Sequence, residues 1–123
     1  MSVIASGETT VRLPSGSKGR GGRNQEFALA AALEMTRWEG DWALASIGTD
    51  GIDGPTNAAG AIVDNTTLAR ADEQGLDARA TLQAHNTYDF FERLRDLVVT
   101  GPTGTNVGDL QVFLAASGPG AMG

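Results

Sequence analysis

Residues 42–56 contain the clearest fold signal in the sequence and read Trp42-Ala43-Leu44-Ala45-Ser46-Ile47-Gly48-Thr49-Asp50-Gly51-Ile52-Asp53-Gly54-Pro55-Thr56. The first six of these residues form an apolar run bounded by Gly40 and Gly48, which predicts a strand buried on both faces. The remainder is rich in glycine and contains two Asp-Gly pairs, which are typical of turns. The sequence therefore places a loop with two carboxylates directly after a buried strand.

Strand and helix patterns alternate on both sides of this stretch. Upstream, residues 3–5 and 9–13 favour short strands, and the apolar positions after Arg23 predict a helix to Arg37. Downstream, we expect strands at 61–63, 97–100 and 110–115, with three short helices between the first two. Gly75 stands where a left-handed residue would end the first of these helices, and Asp77 can cap the second. This alternation predicts an α/β fold, a single domain with a parallel or mixed sheet flanked by helices. Residues 1–116 would form the domain, and residues 117–123 a flexible tail.

Composition limits the function of this 123-residue chain, whose length suits one hydrophobic core. The formal charge is −6, with 15 acidic against 9 basic residues, which disfavours a nucleic-acid surface. There is no cysteine, so thiolate metal sites and cysteine nucleophiles are excluded. No apolar run approaches the roughly 20 residues needed to cross a bilayer, and the first residues do not resemble a signal peptide. These features predict a cytoplasmic protein that does not bind membranes.

Three polar, glycine-rich segments could carry chemistry. We name them the Arg loop (residues 19–26), the Asp loop (48–56) and the Thr loop (100–106). In open α/β sheets, ligands bind beyond the carboxyl ends of the strands. The Asp and Thr loops each follow a predicted strand, so we expect the loops to meet there.

The Arg loop has the features of an anion site. Its glycines allow close approach of the backbone, and the following helix directs N–H groups towards a ligand. Arg23 adds a planar fork that suits a carboxylate or phosphate. A tight turn with a solvated arginine fits the pattern equally well, and the loop is neither a Walker loop nor a dinucleotide fingerprint.

The other two loops offer oxygen ligands. Asp50 and Asp53 could hold Mg²⁺ or accept a proton from a substrate hydroxyl, whereas ordinary Asp-Gly turns are the alternative. In the Thr loop, Thr103, Thr105 and Asn106 suit phosphate or sugar oxygens, although a simple strand connection explains them as well. His85 has no second His or Cys nearby in the sequence, so it carries little weight as a metal ligand.

Taken together and in this order, the three loops closely resemble the C-terminal MOFRL domain of class II glycerate kinases, some of which carry the name hydroxypyruvate reductase. The resemblance covers about residues 6–114. It implies ATP- and Mg²⁺-dependent phosphorylation of D-glycerate to 2-phosphoglycerate in a cleft between two domains. The N-terminal Rossmann-like domain of that family would be the partner, since it supplies a catalytic lysine and much of the cleft. The chain alone is therefore expected to be inactive.

The resemblance also implies roles for individual residues. Arg23 would neutralise substrate carboxylate or phosphoryl charge, and Asp50 would be the essential acidic residue. The metal ligands stay unknown. The substrate- or phosphate-binding residues would be Gly21, Gly22, Asn24, Thr49, Gly51, Asp53, Thr103, Thr105 and Asn106.

Some positions depart from the family pattern, and two other functions stay open. Arg20 stands where lysine is common, Asn57 where Asp is frequent, and Gly108 where Asn is frequent. The turn Ser6-Gly7-Glu8-Thr9-Thr10 has one glycine fewer than the family pattern, so the resemblance assigns no role to Glu8. The alternatives are a component of a hydroxypyruvate reductase, which lacks support from a dinucleotide motif, and a non-catalytic anion-binding or structural module.

Overall fold

The structure is a computed structural model that describes residues 2–7 and 20–116. A short 3-10 turn (Met35–Arg37) extends the first helix. The elements in chain order are β1 (Ser2–Gly7), α1 (Arg23–Glu34), β2 (Trp42–Gly48), β3 (Gly60–Asp64), α2 (Thr67–Glu73), α3 (Ala78–Gln83), α4 (Thr87–Leu94), β4 (Leu97–Val98) and β5 (Asp109–Ala115).

The five strands found among the described residues form one sheet in the order β1-β5-β2-β3-β4. The α/β class and the single domain are confirmed, but the prediction of a parallel or mixed sheet is wrong, because all four strand pairs are antiparallel. Strands β2 and β3 are joined by the Asp loop without a helix, which suits antiparallel neighbours. The three short helices connect β3 to β4, and the chain enters β4 at the same end of the sheet at which it left β3. The two strands are therefore antiparallel although their connection is helical.

The core lies between one face of the sheet and the helices. Trp42 and Leu44 of β2 pack in one apolar cluster with Leu29 of α1 and with Phe90 and Phe91 of α4. Burial alternates along β2, so only every second side chain points into this core. The expectation that β2 is buried on both faces is therefore wrong, because its other face is only partly covered.

Local sequence signals set several helix ends as predicted. The carboxylate of Asp77 accepts a hydrogen bond from the Ala80 backbone N–H at 3.0 Å and caps α3. Gly75, just beyond α2, has φ +72°, a left-handed conformation that favours glycine. The strand expected at residues 9–13, the role of Glu8 and the flexible tail at 117–123 all lie outside the described residues.

Candidate functional site

The three loops meet at one end of the sheet, as the sequence predicted. Strands β2 and β4 run in the same direction because β3, between them, is antiparallel to both. The Asp loop leaves β2 at the same end at which the Thr loop leaves β4. The Arg loop reaches this end because it leads into α1, which packs on β2 and β3. The site therefore forms although the sheet is not parallel.

The Asp and Thr loops are joined by hydrogen bonds. The Thr103 backbone N–H donates to the Asp50 carbonyl at 3.1 Å, and the Thr103 hydroxyl donates to the Thr49 carbonyl at 2.6 Å. The Thr49 hydroxyl donates to the Gly108 carbonyl at 2.7 Å and accepts from the Val107 N–H at 2.9 Å. Both threonine hydroxyls thus hold the loops together. Thr49 is half-buried, whereas Thr103, Thr105 and Asn106 are exposed.

Glycine is required where these two loops come closest. Gly51 has φ +86°, and a Cβ there would lie 2.1 Å from the Gly101 carbonyl oxygen. Gly101 itself has φ +72° but would place a Cβ in open space. Comparing substitutions at Gly51 and Gly101 therefore separates the effect of the close contact on stability from the effect of the backbone conformation.

We expect Gly51→Ala to destabilise the chain more than Gly101→Ala. Gly101→Ala should cost about 1–2 kcal/mol, because alanine is strained at positive φ. Gly51→Ala should cost about 2 kcal/mol more, since the loops must also move apart. Urea unfolding of both variants measures the difference. Equal losses of stability would show that the close approach of the loops contributes nothing.

The Arg loop is fixed to the Asp loop by Asp53. The Asp53 carboxylate accepts from the backbone N–H groups of Asn24 and Gln25, both at 2.9 Å, and so caps α1 from another loop. Gly22 at the start of α1 has no side chain to do this, and a Cβ on it would lie 2.3 Å from Asp53 Cγ. Asp53 is only 1% exposed. Burial raises the pKa of its carboxyl above the ordinary value, although hydrogen bonds from Asn24 and Gln25 oppose this rise.

Asn24 connects three parts of the site beneath its surface. Its amide nitrogen donates to Asp53 Oδ1 at 3.3 Å and to Asp109 Oδ1 at 3.1 Å. Its amide oxygen accepts from the Ser46 hydroxyl on β2 at 2.7 Å. Asn24 is buried, so it links the Arg loop, the Asp loop and β5 from within.

Arg23 pairs with Asp109, a residue that the sequence analysis did not single out. Arg23 Nε lies 2.7 Å from Asp109 Oδ2, and Arg23 Nη2 donates to Asp109 Oδ1 at 2.9 Å. Asp109 is fully buried, whereas 36% of the Arg23 side chain is exposed. The buried carboxylate therefore fixes the orientation of a guanidinium that reaches the surface. An acidic residue between the Thr loop and the start of a predicted strand was the available signal.

Asp50 lies close to this pair. Its carboxylate accepts from the Ile52 N–H at 3.0 Å, which fixes the side chain, and the residue is partly exposed. Gly48 pairs in register with Asp109. A Cβ on Gly48 would lie 3.2 Å from Asp50 Oδ1 and 3.5 Å from Asn24 Nδ2. Asp50 is thus a partly accessible carboxylate on the side of the site where Asn24 and Asp109 meet.

The start of α4 supports the Arg loop from outside. The Arg20 guanidinium pairs with Asp89 at 2.6 Å and lies 4.6 Å from the centre of the Tyr88 ring. The hydrogen bond to Asp89 raises the pKa of Arg20. The Tyr88 hydroxyl donates to the side chain of Asn57, just beyond the Asp loop. Two of the departures from the family pattern, Arg20 and Asn57, are therefore engaged with α4.

His85 contacts the Arg loop directly, which the sequence did not reveal. Its ring nitrogen Nδ1 pairs with the Glu26 carboxylate, and both side chains are largely buried. His85 has φ +53° just before α4. Gln25 also reaches α4, since its amide oxygen accepts from the Thr87 hydroxyl at 3.2 Å. These contacts hold α1 against α4.

A magnesium ion could be held only by carboxylate oxygens that are not already engaged within the protein. Asp53 and Asp109 direct both carboxylate oxygens into hydrogen bonds and ion pairs within the protein. Within residues 2–7 and 20–116, no group of three or more His, Cys, Asp or Glu residues has the arrangement of a metal site. Magnesium is commonly held by one or two carboxylates together with substrate phosphates. The described residues fit such a site with Asp50 as its carboxylate.

Comparison with known proteins shows the family. The MOFRL family model matches residues 1–109. An Agrobacterium vitis protein, whose name gives hydroxypyruvate reductase as an unproven activity, is 49% identical over 91% of this chain and 25% of its own length. The D-glycerate 2-kinase of Thermotoga maritima is 46% identical over 91% of this chain and 26% of its own length.

The fold agrees with this assignment. The crystal structure of glycerate kinase from Thermotoga maritima superposes with a TM-score of 0.85 at 44% identity, covering 94% of this chain and 27% of that one. The chain thus spans about a quarter of the length of the relatives that it matches. In the described residues, no helix has the length and hydrophobicity that a membrane crossing requires. With most of its length matched by one family model and its fold shared with a solved kinase, the chain belongs to the MOFRL family.

Proposed function

We propose that this chain is the MOFRL domain of a cytoplasmic, ATP-dependent glycerate 2-kinase that converts D-glycerate into 2-phosphoglycerate. The observation that carries the proposal is the bidentate pair of Arg23 with the buried Asp109, in a site that also holds Asp50. A guanidinium fixed in this way suits an anionic group, because it need not be reorganised during the reaction. The substrate comes from the names of the Thermotoga maritima relative and of the Thermotoga maritima crystal structure, since each is called a kinase of glycerate.

In the proposed reaction, the C2 hydroxyl of D-glycerate attacks the γ-phosphorus of ATP, and the bond to ADP breaks. Arg23 stabilises the negative charge of the carboxylate or of the phosphoryl group, and Asp50 takes the hydroxyl proton or binds magnesium. Magnesium would neutralise charge on the phosphate oxygens. Backbone N–H groups and polar side chains at the surface of the three loops would contact the ligands, with the exposed Thr105 and Asn106 among them.

Four residues of the predicted set have a different place in this proposal. Asp53 and Asn24 lie beneath the surface and bond to each other and to the start of α1. Thr49 and Thr103 hold the two loops together through their hydroxyls. We assign these four residues to the positioning of the loops. Ligand contact is left to Arg23, Asp50, the glycines and the exposed Thr loop residues.

The chain alone is expected to lack turnover, because it spans only a quarter of the kinases it matches. The test is a chimera in which this chain replaces the matching quarter of the Thermotoga maritima D-glycerate 2-kinase. The chimera should phosphorylate D-glycerate with ATP, whereas the kinase without that quarter should not. A folded chimera without turnover would contradict the proposal.

Hydroxypyruvate reduction is the second candidate, since the Agrobacterium vitis relative bears that name. A chimera with this relative, prepared in the same way, separates the two activities. Oxidation of NADH with hydroxypyruvate in the absence of ATP would favour the reductase. Phosphorylation of D-glycerate without any oxidation of NADH would favour the kinase.

A further inference from the structure

The sheet has an apolar face that none of the described helices covers. In the register of the sheet, Ala43, Ala45 and Ile47 of β2 stand opposite Leu114, Val112 and Leu110 of β5. Ile62 of β3 stands opposite Ala45 on the other side. Directly opposed residues share one face. We call this set the open sheet face: Ala43, Ala45, Ile47, Ile62, Leu110, Val112 and Leu114.

The open sheet face is turned away from the helices. The alternate residues of β2, including Trp42 and Leu44, point to the core that α1, α2 and α4 share. The members of the open sheet face are partly or largely exposed, with Ile62 at 44% and Leu114 at 51%. Single exposed apolar residues are normal, but here two exposed and five half-buried apolar residues adjoin one another on three strands and form a continuous patch.

The charged residue at the edge of the open sheet face, Asp64, already has partners within the chain. Asp64 lies at one end of the face, opposite Ala43. Its carboxylate accepts from the backbone N–H of Thr66 at 2.8 Å and from the Thr66 hydroxyl at 2.6 Å. Arg70 lies 3.8 Å from the same oxygen. The face therefore offers an occupant apolar contact and little for an ion pair.

We propose that the open sheet face is the surface on which the additional domain of the kinase docks through an apolar surface of its own. The proposal rests on the two-domain enzyme proposed above. The relatives are about four times as long as this chain, so most of their polypeptide lies outside the matched region. A large apolar face on the smaller part suits a permanent contact with the larger part. The loop end of the same sheet would then border the docked domain, which places the site at the junction.

Cysteine labelling tests this surface, because the natural chain contains no cysteine. Ile62→Cys and Leu114→Cys place one thiol each on the open sheet face. Ala80→Cys, on the exposed side of α3, is the matched control. Alkylation of each cysteine is followed by mass spectrometry in the chain alone and in the Thermotoga maritima chimera.

We expect alkylation at positions 62 and 114 to slow at least ten-fold in the chimera, with no change at position 80. Equal rates in the chain and the chimera would overturn the proposal. Slow labelling in the chain alone that becomes faster on dilution would also overturn it, since a second copy would then cover the face. The same three substitutions at the matching positions of the natural Thermotoga maritima kinase provide a measurement that does not depend on the chimera folding.

Assaying the labelled chimera for phosphorylation keeps this proposal distinct from the proposed function. Protection of positions 62 and 114 without turnover would support the docking surface and contradict the kinase assignment. Turnover with both cysteines fully reactive would support the kinase assignment and refute the docking surface.

Discussion

Replacing Arg23 by Met in the chimera is expected to lower kcat for D-glycerate phosphorylation about 100- to 1,000-fold. The guanidinium is held by two contacts to a fully buried carboxylate, so its charge stays in place without reorganisation. Methionine keeps much of the length of the side chain but has no charge. Steady-state kinetics with saturating ATP measure the loss.

The same substitution also affects stability, so the two effects must be separated. Without Arg23, the carboxylate of Asp109 stays buried with Asn24 as a remaining donor. Breaking a fully buried pair costs about 3–5 kcal/mol. We expect about 2 kcal/mol here, because a third of the Arg23 side chain is exposed and water screens that part. Urea unfolding of the chain measures this cost.

A double variant provides the control. Arg23→Met with Asp109→Asn removes both charges, so most of the lost stability should return. Activity should stay low, because the positive charge is still missing. If the double variant recovered stability and kcat together, Arg23 would be only a structural partner of Asp109. Arg23→Lys should retain part of the activity, since it keeps the charge without the planar fork.

Individual elements of this fold were predictable wherever local sequence determines them. The apolar run from Trp42 gives β2, and Asp77 and Gly75 mark helix ends through contacts within a few residues. Strand direction was not predictable in this way. The direction of β4 relative to β3, for example, depends on where the three helices between them return the chain, which is a property of their packing and not of their pattern.

The candidate site was likewise only partly predictable from the sequence. The convergence of the three loops followed from their positions beside strand ends, and the direct hydrogen bonds between the Asp and Thr loops confirm it. Sequence could not show which carboxylates face inward. The Arg23–Asp109 pair joins residues 86 positions apart, and the contacts of Asp53 to α1 span 28 and 29 positions. Such partners become visible only once the fold brings them together.

The other large effect is expected for Asp53→Ala, which should lower the free energy of unfolding by about 3 kcal/mol. Loss of a helix cap costs about 1 kcal/mol. Leaving the N–H groups of Asn24 and Gln25 buried without their acceptor adds about 2 kcal/mol. Asp77→Ala is the matched control, because Asp77 caps α3 at an exposed position and should cost only about 1 kcal/mol. Equal losses in the two variants would show that Asp53 acts as an ordinary cap.

Asp53→Asn tests the ionisation of the same side chain. Burial raises the pKa of Asp53 in the folded chain above the ordinary value of 3.8, so the folded state binds the proton more tightly than the unfolded state. This contribution to stability is complete below pH 3.8 and is lost as the pH rises through the raised pKa. Asparagine does not titrate. The stability of the natural chain relative to Asp53→Asn should therefore fall between pH 3.8 and neutrality, as measured by urea unfolding. A rise over this range would mean that the hydrogen bonds to Asp53 from Asn24 and Gln25 outweigh its burial.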